Sequence, residues 1–357
     1  MAIRSPMLAL LAAGALAGCA EAEAPPTATA PAPRPESVSV GASFTAWREG
    51  FRPRALAAGI APATFDAAFA GVGVSAEVLE RDAFQPEFTR PIWEYLDRAV
   101  SEARVANGRE NLAARRAALD AISARYGVEP QVIVAVWGLE SAYGAVRGDL
   151  GVIESLATLA HQGRRRSFGE EQLIAALRIL QAGDTNPASM RGSWAGAMGH
   201  TQFIPTSYLE YAVDFTGDGR RDIWGEDPTD ALASTANYLS RFGWTAGQPW
   251  GVEAQLPAGF DFALADQSIR RPVAEWRALG VTTVGGGALP DHGLAAVLAP
   301  AGAAGPVFVV FNNFRVIKRY NNATFCVRES ASASRGQAAR IGPPPAIRSE
   351  RCPTASA

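Results

Sequence analysis

One glutamate stands out as a candidate acid because it ends an apolar stretch of the chain. Val132–Leu139 carries no charged side chain, and Glu140 follows it directly, beside Ser141 and Tyr143. Since a helix that is apolar on every side is buried, we expect a core helix whose last turn opens into a cleft. A carboxyl in apolar surroundings holds its proton more tightly, as a general acid near neutral pH requires. The alternative for this stretch alone is a structural glutamate that caps the helix or pairs with an arginine.

A glycine-rich segment further along the chain places uncharged hydrogen-bonding groups beside aromatic rings. Gly192–Tyr208 contains three glycines, which permit close approach of the backbone. Its polar and aromatic side chains include Ser193, Trp194, Gln202, Phe203 and Tyr208. This combination suits the binding of a sugar chain, and it equally suits a tight structural loop.

A third segment has the spacing of a calcium-binding loop. The first, third and fifth positions of an EF-hand loop are matched by Asp214, Thr216 and Asp218. Gly219 stands at the sixth position, but Gly225 replaces the glutamate of the twelfth, and Asp230 further on can take that place. A metal here would stabilise rather than signal, because the flanking helix pair of a calcium sensor is missing. The alternative is an Asp-Gly turn without a metal.

Composition and the remaining motifs argue against several other functions. The 357-residue chain has a formal net charge of -2, so no general basic field for nucleic acid is expected. The three histidines His161, His200 and His292 are scattered and predict no metal cluster. No Gly-x-Ser-x-Gly elbow, P-loop or dinucleotide fingerprint occurs. The dense basic run at Gly163–Arg166 is either a solvated face or a contact for an acidic substrate.

Hydrophobic periodicity predicts a mainly helical middle followed by a short sheet. Helices are predicted over Asn111–Tyr126, Phe168–Gln181 and Asp230–Phe242. Gly127 ends the first of these, and Pro130 begins the core helix that leads to the candidate acid. Strands of an antiparallel sheet are predicted over Ala295–Leu298 and Val307–Phe311.

The N-terminus is predicted to be a targeting segment. The apolar run Met7–Leu16 is followed by small residues and Cys19, the pattern of a bacterial lipoprotein signal in which Cys19 is lipidated. An ordinary export peptide cleaved nearby is the alternative, and either one takes the mature chain out of the cytoplasm. Glu21–Arg34, mostly Ala, Pro and Thr, is interpreted as a disordered tether. Only Cys326 and Cys352 follow Cys19, so no disulfide framework is expected, and membrane attachment would rest on lipid alone.

Taken in order, the motifs resemble the membrane-bound lytic murein transglycosylase B family. The resemblance rests on Val136–Gly144, Leu156–Ala160 with its arginines, Gly192–Tyr208, Ala212–Gly219 and Val316–Asn321. It covers about Phe44 to Thr324. Several distinct motifs in the right order make it far more specific than any one of them alone.

The resemblance implies an enzyme that cuts the β-1,4 bond between N-acetylmuramic acid and N-acetylglucosamine in peptidoglycan. Cleavage would use no water and would leave a 1,6-anhydromuramic end. The family's catalytic glutamate falls on Glu140, which would act alone, first as acid and then as base, with no cofactor for the chemistry. Two rivals stay open: a water-using muramidase on the same scaffold, and a calcium-stabilised peptidoglycan-binding lipoprotein without activity.

The resemblance also implies binding residues and partners. The family's saccharide-contacting positions fall on Arg165, Arg166, Ser193, Gln202, Phe203, Tyr238, Tyr320 and Asn321. Its calcium ligands fall on Asp214, Thr216, Asp218, the Arg220 carbonyl and Asp230, so one structural Ca²⁺ is expected. The expected partners are peptidoglycan glycan strands and, as candidates, other cell-wall enzymes. We expect a periplasmic monomer anchored through Cys19, with the outer membrane favoured because Ala20 is not an aspartate.

The implied fold is mainly α (α+β), with a lysozyme-like helical core, a flanking helical domain and a small antiparallel β subdomain. The expected boundaries are 1–19 for the lipoprotein signal, 20–40 for the tether, 41–115 for the helical domain, 116–245 for the catalytic core, 246–312 for the β subdomain, 313–324 for a return segment and 325–357 for a disordered tail. The tail departs from the family because no apolar helix follows Asn321. We interpret it as a frame-shifted or truncated end.

Overall fold

A computed structural model describes residues 40–83 and 100–320 of the chain, and these lie in one compact unit. Its helices, in chain order, are α1 (Val40–Ala57), α2 (Pro62–Ala68), α3 (Ala76–Ala83), α4 (Glu102–Ala114), α5 (Arg116–Tyr126), α6 (Pro130–Ser141), α7 (Val152–Gln162), α8 (Arg166–Ala182), α9 (Pro205–Tyr211), α10 (Thr229–Arg241), α11 (Val273–Ala278) and α12 (Asn312–Tyr320). Within the described ranges, no helix combines the length and the apolar character that crossing a bilayer requires.

The strands form one short hairpin and one five-stranded sheet. They are β1 (Leu150–Gly151), β2 (Arg191–Gly192), β3 (Gly251–Gln255), β4 (Arg271–Pro272), β5 (Thr282–Thr283), β6 (Leu294–Leu298) and β7 (Val307–Val310). β1 pairs with β2, and the larger sheet has the order β4-β6-β7-β3-β5 with antiparallel neighbours throughout. The predicted small antiparallel sheet is confirmed.

Helix α6 lies at the centre of the helical part of the protein. Every residue from Val132 to Gly138 is buried, as its uninterrupted apolar sequence predicted. Pro130 occupies a first-turn position, where its missing N–H costs no helical hydrogen bond. Around α6, helices on both sides of it in the sequence share one hydrophobic cluster, which runs from Phe44 in α1 to Val316 in α12. The predicted mainly helical core is therefore confirmed.

The sheet has apolar residues packed on both faces. Alternate residues of β6 belong to different clusters: Ala295 and Val297 pack with Trp276 of α11, whereas Ala296 and Leu298 pack with Phe314 of α12. This is the period of two that a strand imposes on its side chains. Helix α12 thus joins the sheet to the helical core, because its Val316 belongs to the core cluster.

One helix prediction is wrong. Asn111–Tyr126 is not a single helix, because α4 ends at Ala114 and α5 begins at Arg116. Arg115 between them has φ -112° and ψ 20°, outside helical values, and its guanidinium lies 5.4 Å from the ring of Trp137. The predicted stop at Gly127 is confirmed, since that residue has the left-handed φ of 69° common just beyond helix ends. Cys19, the tether, Asn321 and the tail lie outside the described residues.

Candidate active site

Glu140 lies in the last turn of α6 and is half-buried. The chain then leaves the helix through Ala142 and Tyr143, whose φ angles of 50° and 60° are unusual for residues with side chains. Within the described ranges, the one other non-glycine residue with positive φ is Gln202, at 53°. Such conformations cost about 1–3 kcal/mol each and concentrate at functional sites. Backbone strain therefore marks the same two segments that the sequence motifs singled out.

The strained turn after Glu140 is held by specific hydrogen bonds. The Tyr143 hydroxyl donates to the Arg104 carbonyl oxygen at 2.8 Å, and its ring packs edge-on against Trp137 at 5.6 Å. Ser141 is buried, and its hydroxyl donates to the His200 carbonyl oxygen at 2.5 Å while accepting from the Gly144 N–H at 2.9 Å. These bonds fix the end of α6 against the glycine-rich segment.

His200 is the centre of a polar cluster that sequence reasoning missed. The Trp137 indole donates to His200 Nδ1 at 3.1 Å, so the proton of the neutral ring is on Nε2, which donates to the Gly225 carbonyl oxygen at 2.7 Å. Burial is the main cause that lowers the pKa of His200, and the charge of Arg147 lowers it further, against the opposing effect of the Gly225 bond. The imidazole is therefore neutral, and its two hydrogen bonds link α6 to the Gly225 backbone. The signal available in the sequence was the position of His200 inside the glycine-rich segment Gly192–Tyr208.

The glycine-rich segment is placed beside Glu140 by the short hairpin. Leu150 pairs with Gly192, which brings the segment against the chain that leaves α6. A Cβ on Gly148 would come within 2.2 Å of the Gly192 carbonyl carbon, so only glycine permits this approach. Gln202 Nε2 donates to the Arg147 and Gly199 carbonyl oxygens at 3.0 and 2.9 Å. The geometry thus brings this predicted site residue next to the turn after Glu140.

Three predicted aromatic residues pack together behind the site. Phe203 lies 5.7 Å from Tyr320 and 5.9 Å from Tyr238, and the two tyrosine rings are 5.0 Å apart. Phe203 and Tyr238 are buried, and the Tyr238 hydroxyl donates to the Arg319 carbonyl oxygen at 2.8 Å. Phe203 and Tyr238 therefore expose little surface that a ligand could contact.

Tyr320 is the member of this group whose pKa is affected by the charge of the candidate acid. Its hydroxyl donates to the Thr201 carbonyl oxygen at 2.6 Å. Burial first, and then the negative charge of Glu140, raise the pKa of Tyr320 well above its ordinary value. Tyr320 therefore stays protonated, and its hydroxyl is within electrostatic reach of the Glu140 carboxylate.

The predicted arginines lie at the surface where α8 begins. Arg165 and Arg166 are both exposed, and the Arg165 guanidinium lies 5.2 Å from the Phe168 ring and 5.7 Å from the Trp194 ring. Asp82 of α3, a second residue that the sequence did not reveal, is buried beneath this run and accepts a hydrogen bond from the Arg164 N–H at 2.8 Å. Arg165 thus reaches the glycine-rich segment, next to Ser193.

The predicted calcium loop brings its carboxylates together. Oxygen atoms of Asp214, Asp218 and Asp230 all lie within 4.8 Å of one another. Asp230 is buried at the start of α10 and accepts from the backbone N–H groups of Phe215, Thr216 and Asp222 at 2.9 to 3.1 Å. Burial raises the pKa of Asp230, whereas bonds from backbone N–H groups lower the pKa of Asp214. A hard oxygen set with one desolvated carboxylate fits a cation such as Ca²⁺. Thr216 and Arg220 lie in the same loop and are exposed.

A helical core with a half-buried carboxylate at the end of its central helix, joined to a small antiparallel sheet, defines a lysozyme-like protein. The profile of the family described as "Transglycosylase SLT domain" matches residues 43–328, and the chain belongs to this family. It is 35% identical over 206 residues to the membrane-bound lytic murein transglycosylase B of Escherichia coli (strain K12). That alignment spans 56% of this chain and 54% of the relative, about half the length of each.

Solved structures extend the similarity over most of the chain. SltB3 from Pseudomonas aeruginosa, in complex with NAG-anhNAM-pentapeptide, is 54% identical and superposes with a TM-score of 0.80 over 82% of this chain and 79% of its own. The Escherichia coli lytic transglycosylase SLT35, in complex with calcium, is 28% identical with a TM-score of 0.69 over 82% of this chain and 91% of its own. The fold predicted from the resemblance is confirmed by these neighbours.

Proposed function

We propose that the chain is a lytic transglycosylase that cleaves the β-1,4 bond between N-acetylmuramic acid and N-acetylglucosamine and leaves 1,6-anhydromuramic ends. The observation that carries the proposal is the position of Glu140, at the strained end of a buried helix and within electrostatic reach of the Tyr320 hydroxyl. Membership of the transglycosylase family and the peptidoglycan fragment bound by SltB3 support this substrate.

In the proposed reaction, Glu140 serves as acid and then as base. Its protonated carboxyl donates a proton to the glycosidic oxygen while the bond from that oxygen to C1 of the muramic acid breaks. The C6 hydroxyl of the same sugar then attacks C1, and its proton passes to the Glu140 carboxylate. The substrate supplies its own nucleophile, so a second carboxylate of the kind that ordinary glycosidases use is not required. The acid form of Glu140 is restored, and no water is consumed.

Two polar side chains of the glycine-rich segment have complementary hydrogen-bonding capacity for an acetamido group. The Ser193 hydroxyl oxygen accepts from the Ala195 and Ala197 N–H groups, which leaves its own proton to donate to a carbonyl. The Gln202 amide nitrogen already donates twice, which leaves its carbonyl oxygen to accept from an N–H. We assign to this pair the orientation of the N-acetyl group, which assists the departing oxocarbenium-like centre. Arg165 and Arg166 are assigned to acidic groups of the substrate, and Phe203 with its tyrosine neighbours to the exclusion of water.

The decisive experiment compares wild type with Glu140→Gln on purified sacculi, with soluble products identified by mass spectrometry. We expect wild type to release fragments lighter by one water than the hydrolytic products, without a reducing end. Glu140→Gln should lose at least about 10³-fold in rate while still binding sacculi, because the amide cannot transfer the proton. Glu171→Gln, an exposed residue of α8, is the matched control and should be fully active. Products with reducing ends would favour a muramidase, and an active Glu140→Gln would refute the assignment.

Two further features are proposed with this function. The first is one structural Ca²⁺ held by Asp214, Thr216, Asp218, the Arg220 carbonyl and Asp230, supported by the clustered carboxylates and by the calcium complex of SLT35.

The second feature is a periplasmic location with a lipid anchor at Cys19. Fractionation of cells that express Cys19→Ser tests the anchor: the protein should move from the membrane to the soluble fraction, and unchanged membrane association would contradict it.

A further inference from the structure

A cavity of about 380 Å³ lies between α12, the end of α10 and the loop that precedes β4. Helix α12 contributes the cations Arg315, Lys318 and Arg319 to its lining. Phe242, just beyond α10, and Gln267 of the loop line the other sides. None of the residues assigned above to acid chemistry, to glycan or to calcium lines this cavity, so it has no part in the proposed reaction.

The three cations are neighbours on one side of α12. Arg315 stands three residues before Lys318 and four before Arg319, which puts its Cβ about 5–6 Å from that of each of them. Two of the head groups are also fixed in position: the Arg319 guanidinium stacks 4.6 Å from the Phe242 ring, and Lys318 Nζ donates to Gln267 Oε1 at 2.9 Å. The cavity therefore presents a preorganised positive surface rather than mobile side chains.

Positive charge from a second element adds to this cluster. Arg270 follows the cavity loop, and burial together with the charge of Arg315 lowers the pKa of Arg270. Within the described ranges, Arg270, Arg315 and Arg319 form no ion pair. The acidic residue nearest to Arg270 in the sequence is Asp266, whose Oδ1 accepts from the N–H and hydroxyl of Ser268 at 2.7 and 2.6 Å. Guanidinium groups that are gathered and partly desolvated in this way cost folding free energy, which a bound anion offsets.

We propose that this cavity binds a small oxyanion group, a carboxylate or a phosphate, between Arg315, Lys318 and Arg319. Guanidinium groups present paired N–H donors that match the two oxygens of either group, and an ammonium adds a point charge. In the periplasm, where we have proposed that this protein acts, carboxylates occur on peptides and phosphates on polymers, and both are recognised by the same chemistry. The site is independent of the proposed glycan cleavage.

The test is calorimetric titration of the full chain with inorganic phosphate and, separately, with succinate, both at constant ionic strength adjusted with sodium chloride. Wild type should bind at least one of these probes saturably at a single site. The double variant Arg315→Gln/Lys318→Gln should bind at least about tenfold more weakly, whereas Arg315→Lys/Lys318→Arg, which keeps both charges, should retain most of the affinity. The control Arg48→Gln/Arg116→Gln, which also removes two charges from helix surfaces, should bind like wild type.

Thermal unfolding separates loss of the site from loss of the fold. Without added anion, Arg315→Gln/Lys318→Gln should still unfold in one cooperative transition, which shows that the fold is retained. Added phosphate or succinate should raise the melting temperature of wild type and not that of this variant. Preference for one probe identifies the phosphate or the carboxylate source, and binding of both supports the shared oxyanion chemistry. Binding of neither, or equal binding by wild type and the double variant, would overturn the proposal.

Discussion

At the scale of single residues, Gly199 shows how tightly the site is packed. Its φ is +67°, and a Cβ there would lie 2.2 Å from the Ile223 carbonyl oxygen, next to the backbone bond from the His200 N–H to that same oxygen. Gly127 has nearly the same φ, +69°, but a Cβ on that residue would meet only open space. A substitution at Gly127 therefore measures the cost of the left-handed conformation alone, whereas one at Gly199 adds the cost of a steric collision.

We predict that Gly199→Ala destabilises the protein more than Gly127→Ala. Both should lose about 1–2 kcal/mol because an L-residue disfavours the left-handed conformation. Gly199→Ala should lose about a further 1–3 kcal/mol as the glycine-rich segment is pushed away from Ile223. Urea unfolding of the two variants measures the difference. Equal losses would mean that this contact relaxes without cost.

A second residue-scale prediction concerns His200 and pH. Because its pKa is lowered in the folded protein, the unfolded chain takes up a proton first as the pH falls below about 6.5. The stability that depends on neutral His200 is thus fully present above that pH and is lost progressively below it. Each unit of pKa shift corresponds to about 1.4 kcal/mol.

We therefore expect the fall in unfolding free energy between pH 7 and pH 5 to be smaller in His200→Gln than in wild type. Comparing each protein with itself across pH cancels the loss of the hydrogen bonds to Trp137 and Gly225. His161→Gln should also flatten the profile, since burial lowers the pKa of His161 as well. His292→Gln serves as the control for removal of an imidazole. A profile for His200→Gln parallel to that of wild type would refute the argument.

At the scale of elements, α3 positions the arginine run through Asp82. The buried carboxylate accepts from the Arg164 N–H, and the Arg164 guanidinium donates to the Asp82 carbonyl oxygen. Arg165 Nε lies 4.0 Å from the same carboxylate, while its guanidinium stacks near Trp194. Loss of the carboxylate should therefore loosen the loop and misplace Arg165, without touching Glu140.

We predict that Asp82→Asn raises the KM for soluble glycan roughly tenfold while changing kcat less than about twofold. Glu77→Gln is the matched control on the same helix, because its ion pair with Arg81 is about half exposed on both sides and should contribute little. Initial-rate kinetics on both variants provide the measurement. A loss confined to kcat, or an equal effect of Glu77→Gln, would contradict a positioning role.

The elements also show what local sequence can and cannot predict. The core helix and its half-buried acid were predictable because eight apolar residues before Glu140 leave few alternatives to burial. The break at Arg115 was not, since both halves have helical periodicity and the guanidinium meets Trp137 only in the folded chain. The roles of His200 and Asp82 were not predicted for the same reason. Trp137, which donates to His200, is 63 residues away in the sequence, and Arg164, which donates to Asp82, is 82 residues away. Local pattern identifies elements and motifs, whereas long-range hydrogen bonds need the fold.

At the scale of the whole molecule, the candidate calcium loop is tied to the core. Asp230 lies in the first turn of α10, most of whose residues are buried. This helix contributes Leu232, Ala236 and Leu239 to the main hydrophobic cluster. Asp230 also accepts from the Asp222 N–H, and Asp222 in turn accepts from the Gly225 N–H. The Gly225 carbonyl oxygen receives the bond from His200. Removal of a bound metal should therefore lower the stability of the whole cooperatively folded unit, and not only that of the surface loop.

We predict that chelation with EGTA lowers the melting temperature and that Ca²⁺ restores it, by an amount that grows with free Ca²⁺. Binding to the folded state alone contributes about 2.7 kcal/mol when the metal is at 100 times its Kd. Mg²⁺ should restore less, because it demands a smaller and more regular octahedral site. Asp230→Asn should abolish the response to Ca²⁺, whereas Asp291→Asn, in an exposed turn, should respond like wild type. Identical melting of wild type with EGTA and with Ca²⁺ would show that the clustered carboxylates hold the loop by backbone hydrogen bonds without a metal.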